Sequence, residues 1–177
     1  LQKQGIEVLA SSTVLDMNGE QVRVRTPKGE RTVTAEKVLI AVGRQPCSAD
    51  LYLEALGVAM ERGAIVVNDR QQTNVDGIYA VGDVIGKSLL AHGAFAEGEV
   101  AAVNALGGYA RIHYDALPRV VYSLPEVAAV GLSEQEARAQ GGDVRIGRVP
   151  WTSNEKALIE DEADGLVKVV ARDGRLL

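Results

Sequence analysis

Two short, continuous apolar runs constrain the fold of this 177-residue chain more than any other feature of its sequence. The first covers residues 38–42 and the second covers residues 78–81, and each ends directly at a glycine. An uninterrupted run of this length is typical of a strand that is buried on both faces, as in parallel sheets covered by helices. The pattern therefore predicts two buried strands of an α/β domain.

The residues that follow the second run indicate a ligand site. Gly82 and Asp83 lie at the expected carboxyl end of the strand, where open α/β sheets bind their ligands. Glycine has no Cβ, so a ligand can approach the backbone closely. The carboxylate of Asp83 can accept hydrogen bonds from the hydroxyl groups of a sugar or ribityl chain. Judged on the residues alone, an aspartate that only caps the next turn is an equally good interpretation.

The longest helical pattern comes next, from about residue 90 to residue 106, and Gly107 and Gly108 end it. The free N–H groups and positive dipole at its N-terminus would suit a ligand that gains negative charge, such as a reduced flavin. Ordinary close packing also explains the small residues of this helix, but not their position directly after Gly-Asp. These residues recur at helical spacing and predict one closely packing face: Ala91, Ala94, Gly98, Ala101, Ala102 and Ala105.

Short segments with alternating polarity before the first apolar run predict antiparallel strands. Residues 22–25 and 31–34 alternate on either side of a turn at residues 27–29, which predicts a hairpin. Three further short elements are predicted in the first half of the chain: strands at residues 6–9 and 65–67, and a helix at residues 51–56.

A second region with a different pattern begins near residue 112. Ser133 and Glu136 form a capping box that predicts the start of a helix, and Gly141 predicts its end. The strands predicted around this helix cover residues 118–122, 127–130, 144–149 and 166–170.

Both ends of the sequence resemble interrupted elements. Gln4 and Gly5 follow the pattern of a helix C-terminus, and Asp173-Gly174 is a strong hairpin signal only a few residues before the last one. The sequence is therefore expected to be an internal piece of a longer protein.

Composition excludes several classes of function. The net charge of −5 gives no electrostatic reason to expect nucleic acid or an anionic membrane as a partner. No apolar run approaches the roughly 20 residues that a membrane-spanning helix needs, and the polar first residues are not expected to belong to a signal peptide. The single cysteine, Cys47, excludes an internal disulphide framework and a multi-cysteine zinc site. One cysteine is compatible with a cytoplasmic location.

The segment from Thr73 to Asp83, taken with residues 89–93, resembles the second flavin motif of the pyridine nucleotide-disulphide oxidoreductases. In that family the aspartate binds the ribityl–pyrophosphate region of FAD, and the backbone after it reaches the isoalloxazine ring. The resemblance implies FAD contacts at these positions: Asp83, Leu89, Leu90, Ala91 and His92.

Two further matches concern the nicotinamide cofactor. Residues 38–46 resemble the strand that leaves the NAD-binding domain of the family, which implies that Gly43 lies against NAD. Val14 is a weaker match to a position that contacts the adenine side through its backbone. The residue that distinguishes NAD from NADP would precede Leu1.

The remainder of the chain resembles the start of the family's dimerisation domain, through residues 122–128 and 130–134. Residues 154–157 and 165–168 are most similar to the dihydrolipoamide dehydrogenase branch, whereas Leu124 departs from it at a position where close relatives often carry histidine. The implied fold is an FAD/NAD(P)-binding, Rossmann-like α/β fold followed by the start of an α+β dimerisation domain. The implied segments are the end of the NAD-binding domain, the second segment of the FAD-binding domain and a truncated dimerisation domain, at residues 1–42, 43–112 and 113–177.

The resemblance implies an enzyme that oxidises dihydrolipoamide with NAD⁺ through FAD and a redox disulphide. It also implies a homodimer and, as a partner, the lipoyl domain of a 2-oxoacid dehydrogenase complex. No catalytic residue is expected in this chain, because the family's cysteine pair would precede Leu1 and its His–Glu pair would follow Leu177. The alternatives are a mercuric- or glutathione-type disulphide reductase on the same scaffold, and a non-catalytic dimerisation fragment.

Overall fold

The computed structural model describes the backbone of residues 1–177 and every side chain except that of Lys3. The chain divides into two compact units, Leu1–Gly43 and Arg44–Leu177. Each strand pair in the described sheets is antiparallel.

The first unit is built on a three-stranded antiparallel meander of β1 (Thr13–Asn18), β2 (Gln21–Thr26) and β3 (Gly29–Thr34), in the order β1-β2-β3. Val22 and Val24 are buried and alternate with exposed polar residues along β2, which is the period-two pattern of a strand with one covered face. The predicted hairpin is confirmed, with strands slightly longer than expected.

Two strands that the sequence predicts in this unit do not form. Residues 6–9 and residues 38–42 lie outside any strand, and Leu39 and Val42 are 89% and 94% exposed. The prediction of a buried strand at residues 38–42 is therefore wrong for the chain as it stands. A parallel strand is held by hydrogen bonds from neighbouring strands, and the meander is the only sheet in the described part of this unit.

The second unit begins with a small apolar core. Short 3₁₀ turns at Ala49–Leu51 and Leu53–Leu56 stand where a helix was predicted, and β4 (Met60–Glu61) pairs with β5 (Ala64–Ile65). Residues 78–81 form only an isolated bridge between Gln72 and Tyr79, so the second predicted strand is also wrong as a strand, although Ala80 is buried. The buried core residues are Leu53, Val58, Ile65, Val67, Ala80 and Ile85.

Helix α1 (Ala91–Ala105) confirms the longest helical prediction within one residue at each end. Its buried face differs from the predicted face of small residues: Ala101 is buried, but Ala91, Ala102 and Ala105 are exposed. Two polar residues are buried instead, Glu97 and Asn104. The remaining members of the buried face are Gly93, Val100 and Ala101.

The end of the second unit contains the elements predicted after residue 112. The short pair β6 (Arg119–Val121) and β7 (Val127–Ala129) precedes α2 (Glu134–Ala139), which begins at the predicted capping box. A three-stranded antiparallel sheet follows in the order β10-β9-β8. Its members are β8 (Val144–Pro150), β9 (Leu166–Arg172) and β10 (Arg175–Leu176), with α3 (Glu155–Ile159) between β8 and β9. Within the described part of the chain, no helix has both the length and the apolar character needed to cross a membrane.

Candidate functional site

The Gly-Asp pair begins a 3₁₀ turn, Gly82–Ile85, that packs against the first turns of α1. The chain enters the turn through the extended residue Val81 and leaves it through Gly86, at φ 67°. Gly82 has φ 77°, and a Cβ added there would lie 3.4 Å from the Cβ of Ala94. The left-handed backbone favours glycine at this position, and an added Cβ would be in ordinary van der Waals contact with the helix.

A fully buried carboxylate supports this turn from the helix side. Oε2 of Glu97 accepts a hydrogen bond of 2.6 Å from the backbone N–H of Gly82. Oε1 accepts a second hydrogen bond, 2.9 Å long, from the hydroxyl group of Tyr114. The side-chain amide of Gln71 in turn donates to the Tyr114 oxygen at 3.4 Å. Glu97 therefore connects α1 to Gly82 and to Tyr114, and Tyr114 extends the network to Gln71.

Sequence reasoning missed this network. Glu97 lies one helical turn after Gly93 and one turn before Ala101, in the middle of the buried face of α1. A charged residue among small residues was the available signal, because a carboxylate in such a place must find hydrogen-bond donors. The identity of those donors could not be deduced from spacing.

Asp83 lies in the turn with its side chain 45% exposed. Its Oδ2 atom is 3.3 Å from Nε of Arg44, whose side chain is 75% exposed. An ion pair between solvated groups contributes only about 0–1 kcal/mol. The carboxylate is therefore accessible to a ligand that offers hydroxyl groups and can compete with Arg44.

The N-terminus of α1 follows an unusual backbone conformation. Leu90 is the N-cap, in an extended conformation and without a side-chain hydrogen bond to the helix. Leu89 before it has φ 52°, a left-handed conformation that costs a branched residue of this kind about 1–3 kcal/mol. Such strain is found most often where the backbone has a role in binding. Leu89 and Leu90 are half-buried, and Ala91 is exposed.

His92 contacts the region that follows α1. Its Nε2 atom lies 2.6 Å from the carbonyl oxygen of Pro118. Because a carbonyl oxygen can only accept, Nε2 carries the hydrogen of this bond. The side chain is thereby oriented toward Pro118, which leaves the backbone of His92 as the part available for the predicted flavin contact.

A cavity of about 260 Å³ lies beside the N-terminus of α1. Its lining combines the cationic residues Lys87 and Arg119 with the acidic residues Asp115 and Glu136 and with the apolar residue Leu90. The ammonium group of Lys87 is 5.1 Å from the centroid of the Tyr114 ring, a distance at which a cation is attracted to the ring face.

The two residues predicted to contact NAD belong to the first unit. Val14 is in β1, paired with Val24, and more than half of its surface is exposed. Gly43 is the last residue of the unit, at φ 114°, and an added Cβ there would meet nothing within 4 Å. The structure thus brings Asp83 and the residues at the N-terminus of α1 together in one unit, and Val14 and Gly43 are in the other.

No group of three or more potential metal ligands occurs among the residues that the structure describes. Cys47, the single cysteine, is exposed and carries a free thiol. The three acidic residues at positions 160–162 are all exposed.

Comparison with known proteins identifies the class. The family model for pyridine nucleotide-disulphide oxidoreductases matches residues 1–98, and the model for the dimerisation domain of the same enzymes matches residues 117–177. Because the first match covers more than half of the chain, this protein belongs to the pyridine nucleotide-disulphide oxidoreductase family.

Several individual members of this family are similar in sequence to the chain. The chain is 41% identical to dihydrolipoyl dehydrogenase of Bacillus subtilis, over 97% of this chain and 38% of that protein. It is 40% identical to the mitochondrial dihydrolipoyl dehydrogenase of Pisum sativum, over 97% of this chain and 36% of that protein. The leghemoglobin reductase of Glycine max is 38% identical, with 97% and 34% covered. The chain thus spans less than two fifths of the length of these relatives.

Solved structures confirm the fold. A variant of the HOCl-induced flavoprotein disulfide reductase RclA from Escherichia coli, in a Cu(II) complex, superposes with a TM-score of 0.82 at 30% identity. That match covers 99% of this chain and 41% of the other. LpdA from Mycobacterium tuberculosis gives a TM-score of 0.75 at 32% identity, over 93% of this chain and 35% of that one. The predicted fold class, an FAD/NAD(P)-binding domain followed by a dimerisation domain, is confirmed.

Proposed function

We propose that this chain is part of a longer flavoprotein that oxidises dihydrolipoamide with NAD⁺ through FAD and a redox disulphide. The observation that supports the proposal most directly is the Gly82–Ile85 turn packed on α1, which presents the Asp83 carboxylate beside a helix N-terminus. Similarity to two dihydrolipoyl dehydrogenases over 97% of the chain supports the same activity.

The residues fit an FAD site. Gly82 carries no side chain, so a ligand can approach its backbone, and the partly exposed Asp83 carboxylate can accept hydrogen bonds from a ribityl chain. The backbone of residues 89–92, which are Leu89, Leu90, Ala91 and His92, would approach the flavin ring. When bound, FAD supplies the two-electron chemistry between the disulphide and the nicotinamide. The positive end of α1 favours negative charge at its N-terminus.

The nicotinamide contacts are proposed for Gly43 and Val14. Gly43 at φ 114° has open space where a Cβ would stand, so a cofactor could lie against its backbone. Val14 would contact the adenine side through its main chain. The exposed apolar run at residues 38–42 supports the proposal that other strands of the longer protein cover it.

The dimerisation-domain match at residues 117–177 supports a homodimer. The division into residues 1–42, 43–112 and 113–177 stays a prediction, as do the lipoyl-domain partner and the cytoplasmic location. In this arrangement the chain contributes cofactor contacts and dimer surface, and the catalytic cysteine pair and His–Glu pair belong to other parts of the protein.

The proposal is tested by removing the Asp83 carboxylate in the full-length protein. Asp83→Ala is expected to lose FAD on purification, measured as the ratio of visible flavin absorbance to protein. Glu99→Ala, which removes an exposed carboxylate on α1 outside the flavin motif, is the control and should retain its flavin. Full flavin occupancy in Asp83→Ala would contradict the assigned role.

A disulphide reductase on the same scaffold is the second candidate, since the RclA structure superposes over 99% of the chain. Steady-state assays separate the two. The proposed enzyme forms NADH from dihydrolipoamide and NAD⁺, whereas a reductase consumes NAD(P)H with another disulphide or metal-ion acceptor and shows little activity with dihydrolipoamide.

A further inference from the structure

We propose that Glu97 is a positioning residue of the flavin site, which holds the Gly82–Asp83 turn in place and links it to Tyr114. This inference rests on the proposed function, because it assigns Glu97 to the same FAD site that contains Asp83. Glu97 itself is fully buried and offers no surface to a ligand.

The burial of Glu97 needs a physical explanation. A carboxylate that is removed from water costs free energy unless it is well hydrogen-bonded. Among the described side chains, no Lys, Arg or His forms an ion pair with Glu97; its hydrogen-bond donors are the N–H of Gly82 and the O–H of Tyr114. A buried charge without a cationic partner contributes little to stability compared with an apolar residue of similar size. The benefit of Glu97 is therefore the geometry that it imposes on its two donors.

The bond to Gly82 fixes the start of the turn. The first N–H groups of a helical turn have no partner within the turn and are satisfied from outside. Oε2 of Glu97 satisfies the N–H of Gly82, with 2.6 Å between the oxygen and nitrogen atoms. Asp83 is the next residue, so the orientation of the Gly82 backbone sets the direction in which the Asp83 side chain leaves the turn.

The bond to Tyr114 fixes the carboxylate from the opposite side. Tyr114 lies in the 3₁₀ turn Tyr114–Ala116, in the segment that precedes β6, and donates to Oε1 at 2.9 Å. Its hydroxyl group is connected to the Gly82 N–H through the carboxylate of Glu97. A change in the segment around Tyr114, where the predicted dimerisation region begins, would consequently be transmitted to the flavin site through this carboxylate.

The conservative variant Glu97→Gln should still position the turn, because Gln71 can supply another hydrogen-bond acceptor for the Tyr114 hydroxyl group. In Glu97→Gln, the amide oxygen can still accept from Gly82 while its NH₂ group faces Tyr114. The Tyr114 hydroxyl must then donate elsewhere. Oε1 of Gln71 is buried and has no hydrogen-bond partner in the described structure, so the adjoining amide can turn and accept this hydrogen.

The test uses the full-length flavoprotein and compares Glu97→Ala, Glu97→Gln and Tyr114→Phe. The matched control is Glu99→Ala, an exposed glutamate two residues further along α1. FAD affinity is measured by titrating each apoprotein with FAD, and the visible circular dichroism of the bound flavin is recorded at saturation. Since a hydrogen bond to a charged group is involved, Glu97→Ala should weaken FAD binding about tenfold or more and change the flavin dichroism. Glu97→Gln should remain within about threefold of the original protein, Tyr114→Phe should fall between these two variants, and Glu99→Ala should be unchanged.

Two results would overturn the inference. The first is a folded Glu97→Ala protein that binds FAD as tightly as the unsubstituted protein. The second is an equal loss of FAD affinity in Glu97→Ala and Glu97→Gln with unchanged flavin dichroism, which would indicate general destabilisation. If Glu97→Ala does not fold, Tyr114→Phe is the deciding variant, and an unchanged FAD affinity and flavin dichroism in that protein would overturn the inference. An original protein that binds no FAD would refute the proposed function, whereas FAD loss in Asp83→Ala with none in the Glu97 and Tyr114 variants would refute only the positioning role.

Discussion

The hydroxyl group of Tyr114 donates a hydrogen bond of 2.9 Å to the buried carboxylate of Glu97. Burial of the phenol is the largest cause that raises the pKa of Tyr114, and the bond to Glu97 raises it further, to about 12. The amide of Gln71 acts in the opposite direction by stabilising the phenolate. The phenol therefore keeps its hydrogen, and with it the bond to Glu97, at every physiological pH.

This relationship predicts an alkaline loss of stability. The ordinary pKa of tyrosine is 10.0, so the unfolded chain loses the Tyr114 proton more readily than the folded chain. A raised folded-state pKa gives stability that is complete below pH 10 and lost as the pH rises through about 12. Urea unfolding of the full-length protein across this range should show that the unfolding free energy declines as the pH rises. Tyr114→Phe should make this decline with pH less steep. The same slope in both proteins would contradict the role of Tyr114.

Two glycines of α1 should respond oppositely to the same substitution. A Cβ at Gly93 would overlap the side chain of Ser88, and it would lie 2.6 Å from the Cβ atom of that residue. At Gly98, a Cβ would meet nothing within 4 Å. Gly98→Ala is therefore expected to stabilise the protein by about 0.5–1 kcal/mol through helix propensity. Gly93→Ala should destabilise it by roughly 1–3 kcal/mol, because Ser88 must move.

Thermal and urea unfolding measure both effects. Ser88→Gly removes the atoms that the new methyl group would overlap, so it should recover much of the loss in the Gly93→Ala background. A destabilised Gly98→Ala protein, or a Gly93→Ala protein that Ser88→Gly does not improve, would contradict the steric explanation.

The elements that could be predicted from the sequence are those with local causes. The hairpin of β2 and β3 follows from alternating residues around a turn, and α2 follows from the capping box at Ser133. The Asp173-Gly174 turn likewise joins β9 to β10, as its composition indicates. In each of these cases the partners lie within a few residues of one another.

The features that could not be predicted depend on distant residues. A buried parallel strand at residues 38–42 requires neighbours on both sides, and an apolar run alone cannot supply them. The bond between Gly82 and Glu97 joins residues 15 positions apart, and the pairing of Glu97 with Tyr114 spans a further 17. No periodicity in the sequence indicates which donors a buried carboxylate will meet. For this reason Asp83 could be proposed from its motif, and the residues that position it could not.

Asn104 is expected to contribute strongly to the stability of the second unit. It is almost completely buried, and the two hydrogens of its Nδ2 group are shared among the carbonyl oxygens of Val100, Ala110 and Arg70, at 2.8, 2.9 and 3.2 Å from the nitrogen. Its Oδ1 atom accepts from Nε of Arg70 and from the N–H of Ala110. Asn104→Ala leaves these groups without their partner, which should cost roughly 2–3 kcal/mol of unfolding free energy.

Urea unfolding of the full-length protein measures this loss, with the exposed Glu99→Ala as the control on the same helix. Asn104→Asp keeps the shape of the side chain but replaces the donor group with an oxygen that faces carbonyl oxygens. It should be at least as unstable as Asn104→Ala. A loss near that of Glu99→Ala would show that water replaces the hydrogen bonds of Asn104.

The capping box of α2 predicts a pH-dependent contribution that can be separated from the rest of the protein. The hydroxyl oxygen of Ser133 accepts from the N–H of Glu136 at 3.2 Å, and Oε2 of Glu136 accepts from the N–H of Ser133 at 2.7 Å. The hydrogen bonds with Ser133 are the main cause that lowers the pKa of Glu136 below its ordinary value of 4.5.

Substitutions of Ser133 test this capping box. Ser133→Ala should cost about 1 kcal/mol of unfolding free energy near neutral pH, whereas Ser133→Asn, which also caps helices well, should cost a few tenths at most. A lowered pKa gives stability that is present above pH 4.5 and lost as the pH falls through the folded-state value, so the difference between the original protein and Ser133→Ala should shrink in acid. Unfolding curves at neutral and acidic pH measure that difference. If it stays constant, the Ser133 side chain does not lower the pKa of Glu136 in solution.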